Sequence, residues 1–139
     1  MKLQISDHAI VCGYGIVGEK VVESLLNKGV KFVIIENDAQ KVEKIKELGY
    51  NVVNGDATTS RALKEASIET AKAVAVAMDN DAKDLFAVLT ARDLNQKAFI
   101  ATRASDQFVK EKLIEAGADY VVLPQKSASK EILDEILKK

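Results

Sequence analysis

The sequence predicts a doubly wound α/β sheet of six parallel strands in the order 3-2-1-4-5-6, followed by a C-terminal crossover helix. Three observations support this prediction. Short apolar runs alternate six times with helical patterns, and a glycine-rich turn joins the first pair. The chain has 139 residues, which is the size of one domain with a normal core. Parallel strands joined by helices take right-handed crossovers, which gives this strand order.

The glycine-rich turn follows the first apolar run, residues 9–12, and has the pattern G-x-G-x-x-G. We expect Gly13 to allow the tight turn, Gly15 to let a pyrophosphate approach bare backbone, and Gly18 to let the helix pack closely on the sheet. The helix N-terminus would then offer unpaired N–H groups to the anion. A tight βα turn without a ligand is the alternative interpretation. The other residues of the turn belong to the predicted site: Tyr14, Ile16 and Val17.

The second βα unit supplies an acidic residue at the expected place. Residues 16–28 have a helical apolar stripe, and residues 31–35 form the second strand. Glu36 follows 18 residues after Gly18, close to the roughly 20 expected of a carboxylate that binds an adenosine ribose. Its charge disfavours a 2′-phosphate, so NAD, ADP or ATP is preferred over NADP. The alternative is a helix-capping carboxylate, a task that Asp38 can do alone.

Two further strand ends complete the predicted crevice. Residues 50–53 form the third strand, and we expect the adenine of a ligand to lie against the backbone that follows it. Residues 73–78 are continuously apolar, as a central parallel strand buried on both faces should be. Ligands bind outside the carboxyl ends of such strands, so these ends should meet the glycine turn at the switch between strands 1 and 4. The site residues predicted from the strand ends are Asn37, Gly55, Asp56, Ala57, Met78 and Asp79.

The fifth strand, residues 98–101, adds a cation to the same edge of the sheet. Thr102 and Arg103 follow this strand. We expect Arg103 to supply positive charge to phosphates held by the glycine turn. An ion pair with a surface acid is the alternative interpretation.

The fourth helix bears on assembly. Residues 79–81 begin a helix that runs to Leu94 and is apolar around most of its girth. A surface helix should have one polar face. Its second apolar face is therefore covered either by another part of the sheet or by a partner subunit, and we favour the partner.

The end of the chain is predicted to complete the sheet and then continue as a last helix. A helix of residues 106–116 leads to a sixth strand of residues 120–123, which Pro124 closes. A last helix begins at Ser127 and carries an apolar stripe that can pack on its own domain or on a partner. The predicted division is a nucleotide-binding unit of residues 1–126 and a crossover helix of residues 127–139.

Composition excludes several classes of partner and site. The net charge is -1 and the pI is about 5.9, so there is no basic field for nucleic acid. The single Cys12 lies in an apolar strand, which indicates a core position in a reduced compartment, and no cluster has metal-ligand spacing. Apolar runs are too short to span a bilayer and no signal peptide is present, so we expect a soluble, cytoplasmic chain. His8 opens the first strand, opposite the ligand edge, and we expect it to be solvated.

No catalytic residue is predicted, and the chain is not expected to be an enzyme. A dehydrogenase on this fold needs a substrate-binding region and a general acid or base near the nicotinamide. No His, Tyr-x-x-x-Lys or Cys–His arrangement lies at the carboxyl edge. Two hypotheses follow. In the favoured one the nucleotide shifts a conformational equilibrium, and in the other the chain is the cofactor domain of an NAD-dependent oxidoreductase without its substrate domain.

Four segments resemble the RCK (regulator of K⁺ conductance) or TrkA-N domain family. They are the run His-Ala-Ile-Val-Cys-Gly-Tyr-Gly-Ile-Val-Gly at residues 8–18, Glu-Asn-Asp at 36–38, Gly-Asp-Ala-Thr at 55–58 and Ala-Gly-Ala-Asp at 116–119. The resemblance covers essentially the whole chain, and the last two segments are its most specific parts. The beginning of the first strand is more similar to potassium-channel members than to Trk-type transporter subunits.

The resemblance implies a Rossmann-like, cytoplasmic regulatory domain that binds NAD(H), ADP or ATP. It implies a homodimer within a larger gating ring, attached at the inner face of the membrane to a potassium channel or transporter subunit, and it implies that this chain is an N-terminal lobe. Two departures from the family matter. Members that favour ATP often have an arginine in the glycine turn where this chain has Ile16. Calcium-gated members have carboxylates where this chain has residues 102–104, so calcium activation is not expected there.

Overall fold

The computed structural model describes residues 2–139 and shows six parallel strands in one sheet, in the order β3-β2-β1-β4-β5-β6. The predicted fold class and strand order are confirmed. The strands are Ala9–Cys12 (β1), Phe32–Glu36 (β2), Val52–Asn54 (β3), Ala73–Val76 (β4), Phe99–Arg103 (β5) and Tyr120–Val122 (β6). The helices are Ile16–Asn27 (α1), Ala39–Glu47 (α2), Ser60–Glu65 (α3), Asp81–Leu94 (α4), Gln107–Ala116 (α5) and Pro124–Leu137 (α6), with a 3₁₀ turn at Ile68–Thr70.

Each face of the sheet has its own apolar core, because side chains alternate between faces along a strand. On one face Val11 and Ile34 pack with Val22 of α1 and Ile45 of α2. On the other face the strand side chains pack with α3, α4 and α5, and the largest of them are Ile10, Ile35 and Ile100. Cys12 belongs to this second core and is fully buried, as predicted.

The segment before β1 is packed onto the domain. Leu3 N donates to Glu65 O at 2.9 Å, and Asp7 N donates to Thr70 O at 2.8 Å. The side chains of Leu3 and Ile5 pack against the core. We call residues 3–7 the N-terminal strap.

His8 is buried, so the prediction of a solvated histidine is wrong. Its Nε2 lies 2.8 Å from Ala66 O, and the N-terminal strap covers this end of β1. The ring stabilises the packing of α3 against the amino end of β1. It has no place in the crevice at the opposite edge.

The last helix begins earlier than predicted and lies apart from the core. Pro124 is its first residue rather than the end of β6, because proline has no N–H to lose in the first turn of a helix. None of its residues is buried. No helix within residues 2–139 has both the length and the apolar character needed to cross a membrane.

Candidate functional site

A crevice of about 450 Å³ opens at the carboxyl edge of the sheet, between the ends of β1, β2, β3 and β4. Small-molecule sites commonly have volumes of about 300–1,000 Å³. The structure brings together all the predicted site residues except Gly18. Those that line the crevice are Gly13, Tyr14, Gly15, Ile16, Val17, Glu36, Asn37, Gly55, Asp56, Ala57, Met78, Asp79 and Arg103.

The three glycines of the turn have different surroundings. Gly13 has φ +98°, and a Cβ there would lie 2.6 Å from Ala77 O. A Cβ on Gly18 would lie 2.0 Å from Gly13 O, so Gly18 allows the close packing of helix and turn from behind the crevice. A Cβ on Gly15 would meet no atom within 4 Å. Gly15 therefore presents open backbone to the crevice, as the sequence predicted.

The N-terminus of α1 points into this space without a side-chain cap. Its N-cap residue is Gly15, which has no side chain to accept a hydrogen bond from the N–H groups of the first turn. In contrast α2, α3, α4 and α5 are each capped by a side chain: Asp38, Thr59, Asn80 and Asp106. The first N–H groups of α1 are therefore left to bind an anion.

Glu36 holds the glycine turn and the end of β2 together. Its Oε1 accepts a hydrogen bond from Tyr14 N at 2.8 Å, and its Oε2 accepts from Asn37 N at 3.1 Å and from Asp38 N at 3.0 Å. Asp38 alone caps α2, accepting from the backbone N–H groups of the first turn. A carboxylate has about four acceptor positions, so Glu36 can still accept a ribose hydroxyl.

Asp56 lines the crevice beyond the end of β3, beside the backbone of Gly55. Hydrogen bonds from the backbone N–H and the hydroxyl of Thr58, at 2.9 and 2.7 Å, lower the pKa of Asp56. The charge of Lys83, which also lines the crevice, lowers that pKa further. Asp56 is therefore ionised and shares the crevice with a lysine.

Arg103 lies at the crevice and has an acidic partner there. It lines the crevice, and its NH1 lies 3.3 Å from Oδ1 of Asp79. Asp79 has φ +60° in the loop between β4 and α4, which turns the chain at the edge of the crevice. The positive charge of Arg103 is therefore present at the site but shared with an acid.

Sequence reasoning missed five lining residues: Ile35, Asp38, Lys41, Ala77 and Lys83. The two lysines matter most because they add positive charge to a crevice whose predicted charged members are mainly acidic, namely Glu36, Asp56 and Asp79 against Arg103. Both lie on helices in which charged residues alternate with apolar ones, so the pattern predicts only that they are exposed helix residues. A search for cations in the first turn of each helix after a strand end would have found them.

The TrkA-N domain family model matches residues 9–124. Potassium channel protein 1 of Methanocaldococcus jannaschii is 37% identical over 123 residues, which cover 87% of this chain and 37% of that protein. This chain therefore spans well under half the length of that relative.

Two solved structures share the fold. The TrkA-N domain of the inner membrane protein ybaL from Escherichia coli has a TM-score of 0.91 at 29% identity, covering 95% of this chain and 98% of that one. The GsuK channel bound to NAD has a TM-score of 0.79 at 22% identity, covering 88% of this chain and 22% of that one. With the family match over residues 9–124, these similarities show that the chain belongs to the TrkA-N, or RCK, domain family.

Proposed function

We propose that this domain binds an adenine nucleotide in the crevice and that the bound ligand regulates a potassium channel or potassium transporter. The observation that carries the proposal is the open glycine turn facing the crevice. Gly15 exposes its backbone there, and the uncapped N-terminus of α1 adds a partial positive charge that suits a pyrophosphate. The GsuK structure that contains NAD has the same fold.

The lining of the crevice suits binding rather than catalysis. None of the described residues that line it is a histidine, cysteine, serine or threonine. The described lining therefore offers no serine, threonine or cysteine as a nucleophile and no histidine as a general acid or base. A lining of this kind suits a regulatory role in a channel, such as the Methanocaldococcus jannaschii relative, better than it suits an oxidoreductase.

The charges in the crevice favour NAD(H), ADP or ATP over NADP. Glu36 stands where the adenosine ribose would lie, and its carboxylate would repel a 2′-phosphate. Lys41 lies on the same side and can offset part of that repulsion. Ile16 is 84% exposed and offers no charge to a terminal phosphate, so Lys83 and Arg103 are the cations available to one.

Thermal unfolding tests nucleotide binding directly. A ligand that binds only the folded state at one hundred times its Kd adds about 2.7 kcal/mol of stability, which raises Tm by several degrees. We expect this shift with at least one of NAD⁺, NADH, ADP and ATP. A Tm that stays constant with all four at millimolar concentration would contradict the proposal.

Glu36→Gln tests the placement of the ligand. We expect a roughly tenfold loss of affinity by calorimetric titration, because an amide accepts the ribose hydrogen bonds less strongly than a carboxylate does. Glu43→Gln is the matched control, since Glu43 is an exposed acid on α2 that does not line the crevice. Equal affinities for wild type and Glu36→Gln would place the ribose elsewhere.

We further propose that the domain pairs with a second copy within a larger gating ring on the cytoplasmic side of the membrane. On α4, Phe86 is 57% exposed and Leu89 is 44% exposed, while Ala87, Val88 and Ala91 are buried on the sheet. Phe108 of the neighbouring α5 is also exposed. The described part of the chain leaves this apolar surface uncovered, which supports a partner at α4 rather than a further part of the sheet.

A double substitution, Phe86→Glu with Leu89→Glu, tests the pairing. We expect light scattering to show a dimer for the wild type and a monomer for the variant, because two charges at the centre of an apolar interface are costly to bury. Leu26→Glu on α1 is the control, since Leu26 is exposed to a similar degree but lies on another helix. A wild-type monomer at all concentrations would contradict pairing by this chain.

A further inference from the structure

A buried carboxyl group lies directly behind the crevice. Asp84, in the first turn of α4, has no exposed surface. Its Oδ1 accepts a hydrogen bond from Met78 N at 2.9 Å. Its Oδ2 is shielded from solvent and has no hydrogen-bond partner among the described residues. A buried carboxylate oxygen without a donor is costly, so this position favours a neutral carboxyl group.

The hydrogen bond from Met78 connects this carboxyl to the phosphate end of the crevice. Met78 and Ala77 belong to the loop between β4 and α4, and both line the crevice. The loop lies against the glycine turn, because a Cβ on Gly13 would be 2.6 Å from Ala77 O and 3.1 Å from the Met78 Cγ. Asp84 thus fixes the loop on which the glycine turn rests.

The groups that face Asp84 come from four parts of the fold. They are Arg103 from β5, Cys12 from β1, Asp81 on α4 itself and Asp79 in the loop. Arg103 is the one cation in this set, and it is already 3.3 Å from Asp79. Burial, helped by the charges of Asp81 and Asp79, raises the pKa of Asp84 to about 6 against the lowering effects of Met78 N and Arg103.

An anion bound in the crevice would favour the protonated form of Asp84. A pyrophosphate near Arg103 competes with the carboxylates for that cation and adds negative charge beside them. Both effects disfavour ionised Asp84 and favour its protonated form. By linkage, protonated Asp84 must then favour the bound anion to the same extent.

From this geometry we infer that Asp84 is a positioning residue that takes up a proton when a ligand bearing a pyrophosphate enters the crevice, so the ligand binds more tightly as the pH falls. The inference rests on the proposed nucleotide binding and adds proton linkage to it. It makes the domain responsive to pH as well as to nucleotide through one carboxyl group. The protein atoms involved are Asp84 Oδ2, which gains the proton, and Arg103, which is released toward the phosphates.

Calorimetric titration with NAD⁺ tests the inference. NAD⁺ is the right probe because its pyrophosphate is a diester, whereas a terminal phosphate such as that of ADP titrates at about pH 6 by itself. For a ligand-induced rise of about one pKa unit in Asp84, we expect about sixfold tighter binding at pH 5.5 than at pH 7.5. Titrations at pH 6.5 in two buffers of different ionisation enthalpy should show uptake of about half a proton per NAD⁺.

Two variants separate this role from a structural one. Asp84→Asn keeps an oxygen for Met78 N but cannot titrate, so we expect its NAD⁺ affinity to be independent of pH over this interval and its proton uptake to vanish. Asp93→Asn is the matched control, an exposed acid at the other end of α4, and should keep the wild-type pH profile.

Each outcome decides the inference. A wild-type affinity that does not change with pH, or a pH dependence that survives in Asp84→Asn, would overturn the role of Asp84 while leaving nucleotide binding intact. Failure of NAD⁺ to bind at both pH values would overturn this inference, and a Tm unmoved by ADP and ATP as well would overturn the proposed function with it.

Discussion

Gly18→Ala is expected to lower the free energy of unfolding by about 3 kcal/mol or more, measured by urea denaturation. A Cβ at this position would lie 2.0 Å from Gly13 O, and the carbonyl carbon of Gly13 would be 2.9 Å away. Both are backbone atoms of the glycine turn, so no side-chain rotation relieves the overlap. The direction of this change in the free energy of unfolding is informative, because at an unhindered helix position alanine is about 1 kcal/mol more favourable than glycine.

Gly15→Ala is the matched control for this prediction. A Cβ there would meet nothing within 4 Å, and Gly15 has φ -89°, which alanine adopts freely. We expect a change in stability below about 1 kcal/mol but a large loss of nucleotide affinity, because the methyl group would stand where the pyrophosphate approaches. A Gly18→Ala variant as stable as the wild type would show that α1 packs less closely on the turn.

Asp84→Asn is expected to stabilise the domain at pH 7.5 by about 3 kcal/mol. Burial raises the pKa of Asp84 from its ordinary value of 3.8 to about 6 in the folded protein. A raised pKa means that the folded state prefers the neutral form, so the contribution to stability is fully present below about pH 4. It is lost as the pH rises through about 6, at about 1.4 kcal/mol per unit of difference in pKa.

Urea denaturation at several pH values checks this second prediction. The difference in unfolding free energy between Asp84→Asn and the wild type should be small near pH 4, grow between about pH 4 and 6, and stay constant above that. Asp93→Asn should show no such profile, since its carboxyl is exposed. A difference that is the same at every pH would mean that packing, rather than ionisation, separates Asp84→Asn from the wild type.

The fold could be predicted because its signals are local. Each buried strand is a short apolar run, and the helices are marked by their caps, for example Asp38 before α2 and Asp106 before α5. Strand order then follows from the handedness of crossovers and from the glycine turn after β1. The crevice follows from the same rule, which is why the ends of β2 and β3, with Glu36 and Asp56, could be expected to meet there without any knowledge of contacts.

The parts that sequence did not predict depend on contacts between distant residues. His8 is buried by Ala66, which is 58 positions away, and nothing in the residues next to His8 indicates a cover. The apolar residues of α4 indicate an exposed apolar surface, but they do not indicate that Asp84, an acid on the inner face of the same helix, is buried. Lys83, beside it, is indistinguishable in sequence from any solvated lysine.

The N-terminal strap has a consequence for where this domain begins. The family model starts at Ala9, the first residue of β1. The strap lies before that point, yet it seals the end of β1 with backbone hydrogen bonds to Glu65 and Thr70. The part of the chain that the family model matches is therefore shorter than the packed domain. Without residues 3–7, the amino end of β1 and the core next to it would be exposed to water.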